Sequence, residues 1–125
     1  MAFNIQLADR IRDYLSTIPG IVIEEKVMFA VLNFMVNGKT CICVSGDRMM
    51  LRFDPLIQEE LSERNGYETM LMKGKEYKGY CYISPEGFRK ENDFKYLVDL
   101  CLSYNERMRS TTKSERNKSG RRKKY

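Results

Sequence analysis

The sequence predicts an α+β fold: a five-stranded antiparallel sheet flanked by N- and C-terminal helices, in the order α-β-β-β-α-β-β-α. Three observations carry this. Residues 26–53 are rich in apolar and β-branched side chains and are punctuated at Asn37-Gly38 and Gly46-Asp47, dipeptides that accept the positive φ of two-residue hairpin turns. Residues 67–83 repeat the arrangement around Lys73-Gly74-Lys75-Glu76. Apolar residues recur at helical spacing near the two ends and, more weakly, after Asp54-Pro55. Hairpins without an alternating β-α-β pattern argue for an antiparallel sheet.

The first helix runs from a cap at Asn4 to about residue 17, with Leu7, Ala8, Ile11, Leu15 and Ile18 on one stripe. Pro19-Gly20 stops it, and residues 21–25 are a short extended approach to the sheet. Three strands follow. A turn at Asn37-Gly38 pairs Val36 with Lys39, Phe34 with Cys41, Leu32 with Cys43 and Val31 with Val44. A turn at Gly46-Asp47 pairs Val44 with Met49 and Ile42 with Leu51.

Side chains alternate along a strand, so this register sorts them into two sets. Phe29, Val31, Met35, Ile42, Val44, Met49, Leu51 and Phe53 form the expected core face. Asn33 falls among them, which implies a hydrogen-bonded polar group, an edge position, or a bulge that shifts the register. The opposite face collects Met28, Ala30, Leu32, Phe34, Cys41, Cys43 and Met50, with Arg48 and Arg52 towards its edge. It is too apolar to stand in water. Either the middle helix covers it or another subunit does.

Asp54-Pro55 opens the middle helix, Asp as cap and Pro at the first helical position, and Asn65-Gly66 closes it. In the second hairpin, Gly79 inside a strand marks a bulge or a close backbone approach. Ser84-Pro85-Glu86-Gly87 ends that strand. The last helix starts near Asn92-Asp93 and buries Phe94, Leu97, Val98, Cys101, Leu102 and Met108. The apolar pattern stops at Met108, so residues 1–108 read as the domain and 109–125 as a disordered basic tail.

Charge is divided unevenly. Residues 107–125 hold nine basic side chains against Glu115 alone, a net +8, so the other 106 residues carry −3 of the total +5. A broad nucleic-acid face on the body is therefore not indicated. Cys41, Cys43, Cys81 and Cys101 include no C-x-x-C pair, and the chain has no histidine to complete a mixed zinc site. They read as buried thiols of a reducing compartment. No apolar run reaches the ~20 residues that span a bilayer, and Met1-Ala2-Phe3-Asn4 lacks the features of a signal peptide. A cytoplasmic protein, with no membrane partner, is expected.

Several motifs together resemble the N-terminal domain of TfoX/Sxy proteins. They are Lys26-Val27-Met28-Phe29-Ala30-Val31, Phe34-Met35-Val36-Asn37-Gly38-Lys39 and Asp47-Arg48-Met49-Met50-Leu51-Arg52, followed by Asp54-Pro55, Lys78-Gly79-Tyr80-Cys81-Tyr82-Ile83 and Pro85-Glu86-Gly87. The resemblance covers roughly residues 4–105. It implies a small antiparallel sheet flanked by helices, similar in layout to secretion-chaperone-like folds, and no catalytic residues. TfoX itself is a two-domain regulator of competence genes, and here a basic tail stands where its second domain would begin. Two departures stand out. Relatives carry Met-Phe-Gly-Gly where this chain has Met28-Phe29-Ala30-Val31, which makes a left-handed backbone at Ala30 and Val31 unexpected. Relatives also often carry a Trp near the position of Leu97.

The residues support no enzyme. Glu24-Glu25 and Glu59-Glu60 are adjacent pairs that do not converge on one point, and there is no phosphate-binding glycine loop. No cofactor and no metal are expected. The reading is a non-enzymatic binding or regulatory module. One version contacts nucleic acid non-specifically through Arg116, Lys118, Arg121, Arg122, Lys123 and Lys124. The other is a protein-interaction or homodimerisation domain that uses Met28, Leu32, Phe34, Cys41, Cys43 and Met50, its tail serving only solubility.

Overall fold

A computed structural model describes residues 3–119 of the chain, with side chains to residue 108. Helix α1 (Ile5–Leu15) is capped as expected, the Leu7 N–H donating to Asn4 Oδ1 at 2.9 Å. Strands β1 (Ile23–Met28), β2 (Val31–Val36), β3 (Lys39–Ser45) and β4 (Arg48–Arg52) form an antiparallel meander. A 3-10 turn at Pro55–Ile57, capped by Asp54 Oδ1, leads into the short helix α2 (Gln58–Leu61). Strands β5 (Tyr67–Met72) and β6 (Lys75–Ile83) and a second 3-10 turn at Pro85–Gly87 precede helix α3 (Glu91–Ser119). Among the described residues the sheet has six strands in the order β1-β2-β3-β4-β6-β5.

The sixth strand comes from a turn that the sequence conceals. The expected first strand is broken at Phe29-Ala30, where both residues take positive φ, 53° and 66°. This is the two-residue hairpin conformation usually reserved for Asn and Gly. Phe29, expected in the core, stands at the hairpin tip and is 97% exposed. The chain has no Gly or Asn there to announce the turn, so the left-handed backbone judged unexpected at Ala30 is nonetheless adopted.

A second correction concerns register. Val36 faces Lys39 as predicted and Met35 faces Thr40 in the same register, but Phe34 faces Ile42 rather than Cys41. Strand β3 thus holds one extra residue, Cys41, in a bulge. Beyond the bulge every face assignment on β2 inverts. Leu32 and Phe34 join Ile42, Val44, Met49, Leu51 and Phe53 in the core, while Val31, Asn33 and Met35 move to the other face. Cys41 turns inwards to the core and Cys43 does not, so the two thiols do not share a face. The β3–β4 pairs Val44–Met49 and Ile42–Leu51 agree with the sequence reading.

Helices α1 and α3 cover this core face. Ile11 and Leu15 of α1 and Phe94, Leu97, Val98 and Cys101 of α3 are fully buried against the sheet residues. Polar ties fix the helices in place. Tyr14 O–H donates to Asp99 Oδ1 at 2.7 Å, which pushes the phenol pKa up to about 12. Arg10 donates to the Phe88 carbonyl at 2.8 Å and lies 4.0 Å above the Phe94 ring. Arg12 grips both carboxylate oxygens of Glu25 at 2.6 Å and so ties α1 to β1. The α3 backbone does not stop at Met108. It continues to Ser119, because no Pro or Gly intervenes before Gly120, and so enters the segment read from sequence as a disordered tail. Residues 120–125 lie outside the described residues.

Two backbone predictions follow from the positive-φ positions. Ala30→Gly removes left-handed strain and is expected to stabilise the protein by about 1 kcal/mol. Gly79 has φ +84°, and a Cβ there would sit 3.3 Å from both the Phe53 carbonyl oxygen and Pro55, so Gly79→Ala is expected to cost roughly 1–3 kcal/mol. Urea unfolding midpoints measure both; a stabilising Gly79→Ala would contradict the bend assigned to that residue. Burial pushes the thiol pKa values of Cys41, Cys43 and Cys81 up to about 12. Ellman's reagent at neutral pH should therefore titrate four thiols in unfolded protein while reacting with the native chain far more slowly.

Candidate binding face

The inverted register gives the second sheet face its character. Asn33 lies on its floor, 5% exposed, with Thr40, Cys43 and Met50 beside it. The Asn33 amide donates to Thr40 Oγ1 at 3.1 Å and accepts from the Cys43 thiol at 3.4 Å. The buried carboxamide is thereby satisfied without water. Two of the three explanations offered for Asn33 therefore hold: the side chain is hydrogen-bonded, and the bulge moves it off the core face.

Walls rise from both edges of the sheet. On one side stand Met28, Phe29 and Val31 of the β1–β2 hairpin; on the other stand Met70, Met72, Tyr77 and Tyr80 of the β5–β6 hairpin. Strands β5 and β6 pair Thr69 with Cys81 but Leu71 with Glu76, so β6 carries a large bulge that includes Gly79. The Phe53 N–H donates to the Gly79 carbonyl at 2.9 Å and the Gly79 N–H donates to Gln58 Oε1 at 2.8 Å. Gln58 Nε2 also donates to the Tyr67 hydroxyl and to Glu76, each at 3.1 Å. A buried glutamine on α2 thus clamps the bent arm, and Tyr77 stacks on Tyr80 with centroids 4.7 Å apart. The result is an open apolar cleft of about 340 Å³.

The arginines at the edge of this face are already engaged. Arg48 donates to Glu68 at 2.9 Å and lies 3.9 Å over Tyr82, and Arg52 lies 5.8 Å from the Tyr104 ring. A larger groove of about 440 Å³ near the start of α3 mixes Arg64, Arg89 and Lys90 with Glu86 and Asp93. Its charges of both signs suit no single ligand class, and Arg64 is spent on Asp93 at 3.0 Å. The apolar cleft is the better-defined site.

Of the six interface residues read from sequence, Met28, Cys43 and Met50 line this cleft. Leu32, Phe34 and Cys41 do not: they are buried in the helix-covered core, because the bulge puts them on the other side of the sheet. The middle helix, one of the two covers considered, contributes no residue to the cleft lining and instead sends Leu61 into the core. Phe29, Met70, Met72, Tyr77, Tyr80 and the clamp Gln58 belong to the site or its support and were not singled out. The shared face of Met70 and Met72 was the available signal; nothing in the sequence marks Gln58. Among the nucleic-acid candidates, Arg116 and Lys118 fall on the helical backbone of α3, and Arg121, Arg122, Lys123 and Lys124 lie outside the described residues.

Chemically the cleft can bind but has little with which to react. The pKa of its one thiol, Cys43, is pushed up to about 12 by burial, and that of Tyr80 is raised, first by burial. Among the described residues no group of three His, Cys, Asp or Glu side chains could hold a metal ion. No helix among them is long and apolar enough to cross a membrane.

The model of the TfoX N-terminal domain matches residues 13–104. No curated protein and no solved structure matches the chain. The match runs from the end of α1 to the middle of α3 and includes both walls of the cleft. Ala30, where the resemblance implies a glycine, has φ 66°, so that position answers a turn requirement. The chain belongs to the TfoX N-terminal domain family and is a non-enzymatic regulatory or binding module of that type.

Proposed function

We propose that this chain is a cytoplasmic regulatory module that acts by holding a protein partner against the open face of its sheet. The apolar cleft between the two hairpins carries the reading. A face walled by methionines and tyrosines, with its floor amide satisfied internally, offers dispersion and area rather than charge. Methionine side chains adapt to differently shaped apolar partners, which suits a module that recognises a peptide or protein surface. Four free, buried thiols are consistent with a reducing compartment.

A second reading concerns the basic segment. The net +8 of residues 107–125, carried partly on the continuing backbone of α3, favours non-specific contact with nucleic acid phosphates. It would add a tether to the partner-binding role rather than replace it.

Panning a random peptide library on the full chain should enrich sequences with aromatic or aliphatic anchors. Met72→Glu, at an exposed wall position, is expected to weaken their binding more than tenfold with an unchanged circular dichroism spectrum. Peptides that bind the variant equally well would exclude the face. For the tail, replacing Arg121, Arg122, Lys123 and Lys124 by Gln in the full chain should flatten the salt dependence of duplex DNA binding by a slope of about 3 to 4, equally for unrelated sequences. An unchanged slope would leave the segment without a nucleic-acid role.

A further inference from the structure

Phe29 poses a problem that the isolated chain does not answer. Its ring is 97% exposed, and its backbone sits at φ 53° beside Ala30 at φ 66°. A left-handed aromatic residue is a genuine conformational outlier, and a fully hydrated ring gains nothing by burial. Strain of this kind persists where the surroundings over-determine it, and it clusters at sites of use. Here the flanking strands hold the tip in place, pairing Met28 with Val31 and Val27 with Leu32.

What the tip presents is a knob at the rim of a hole. Phe29 stands in the wall of the cleft while its own ring remains in solvent. The cleft, about 340 Å³, is roomy for such a ring, since an apolar cavity of ~150 Å³ already holds a benzene. Knob and hole lie side by side on one surface. For two identical surfaces of this kind, a two-fold axis at the rim lets both knobs and both holes be used at once, which is the self-complementarity of an isologous contact.

We propose that the occupant of the cleft is a second copy of this chain, in a two-fold dimer where each Phe29 enters its partner's cleft. The exposed apolar area fits this. Met28, Phe29, Met72 and Tyr77, each 42–97% exposed, stand in the walls of the cleft on the two hairpins. Scaling 150–250 Å² for each aromatic side chain, and somewhat less for methionine, by these exposures, they offer on the order of 400–500 Å², below the ~800 Å² per partner of a standard specific interface and in the range of weak, reversible contacts. Arg48, on this face, is already paired with Glu68 and stacked on Tyr82. The inference rests on the open face being the binding surface and adds the identity of what covers it.

Sedimentation velocity on the full chain, from micromolar to millimolar concentration, is the test. The expected result is a reversible doubling of the 14.8 kDa monomer. Phe29→Ala should raise the midpoint concentration at least tenfold with unchanged secondary structure, while Ala30→Gly, which keeps the ring and relieves the turn, should remain dimeric. Mixing singly substituted Phe29→Cys and Met50→Cys chains under mild oxidation should give the mixed disulfide dimer faster than either chain alone. A dimer indifferent to Phe29→Ala, or lacking the mixed disulfide, would place the contact elsewhere and overturn the proposal. A chain that is monomeric throughout yet binds the enriched peptides would overturn the dimer and leave the protein-partner role standing.

Discussion

Between Ile42, which faces Phe34, and Thr40, which faces Met35, strand β3 accommodates one residue more than its neighbour. This single insertion decides what each side of the sheet is made of. With it, Leu32, Phe34 and Val36 lie in the same layer as Ile42, Val44, Met49 and Leu51, and two long helices can seal them from water. Without it, Asn33 would be trapped beneath those helices and two large apolar side chains would face the cleft. A bulge costs a ladder hydrogen bond, worth about 1 kcal/mol net, whereas burying Leu and Phe is worth ~1.5–3 kcal/mol for each side chain. Burial outweighs the lost hydrogen bond, and Cys41, small and apolar, is a side chain that can double up with Ile42 on the inner face.

The second determinant is the bend of the outer hairpin. Gly79 combines a positive φ, a backbone approach to Phe53 and Pro55 too close for a comfortable Cβ, and an N–H aimed at Gln58. Gly87 plays a comparable part at the other end of β6, where a Cβ would collide with the Asn65 carbonyl and with Ile83. These contacts anchor the arm that brings Tyr77 and Met72 opposite Met28 and Phe29. The cleft is therefore a product of backbone constraints at its margins, with a floor kept polar but internally satisfied.

A regulatory module of this kind separates its tasks by layer. The helix-covered side supplies stability, through fully buried Phe34, Phe53 and Phe94 and the ties from Arg10, Arg12 and Tyr14. The open side remains free of structural duty and can carry apolar groups in water. Exposed hydrophobic patches of this size usually mark contact surfaces. The basic charge is concentrated in residues 107–125 of the sequence.

Much of this was legible from residue order alone because it depends on local chemistry. Asn4 and Asp54 cap their helices, Asn37-Gly38 and Gly46 turn their hairpins, and the alternation on β3 and β4 assigns their partners correctly. The family motifs and the charge division are likewise sequence properties. What eluded local reading has a common physical cause. The turn at Phe29-Ala30 uses residues that disfavour it, and is held only by the pairing of β1 with β2. The bulge at Cys41 carries no glycine and is selected by the helices packed above it. Gln58 reaches across 21 residues of chain to Gly79. Sequence determined five of the six strands, the helix caps and the family; only the tertiary structure decided where the first strand breaks and which face each strand residue serves, because those choices are made by long-range pairing and burial rather than by neighbours in the chain.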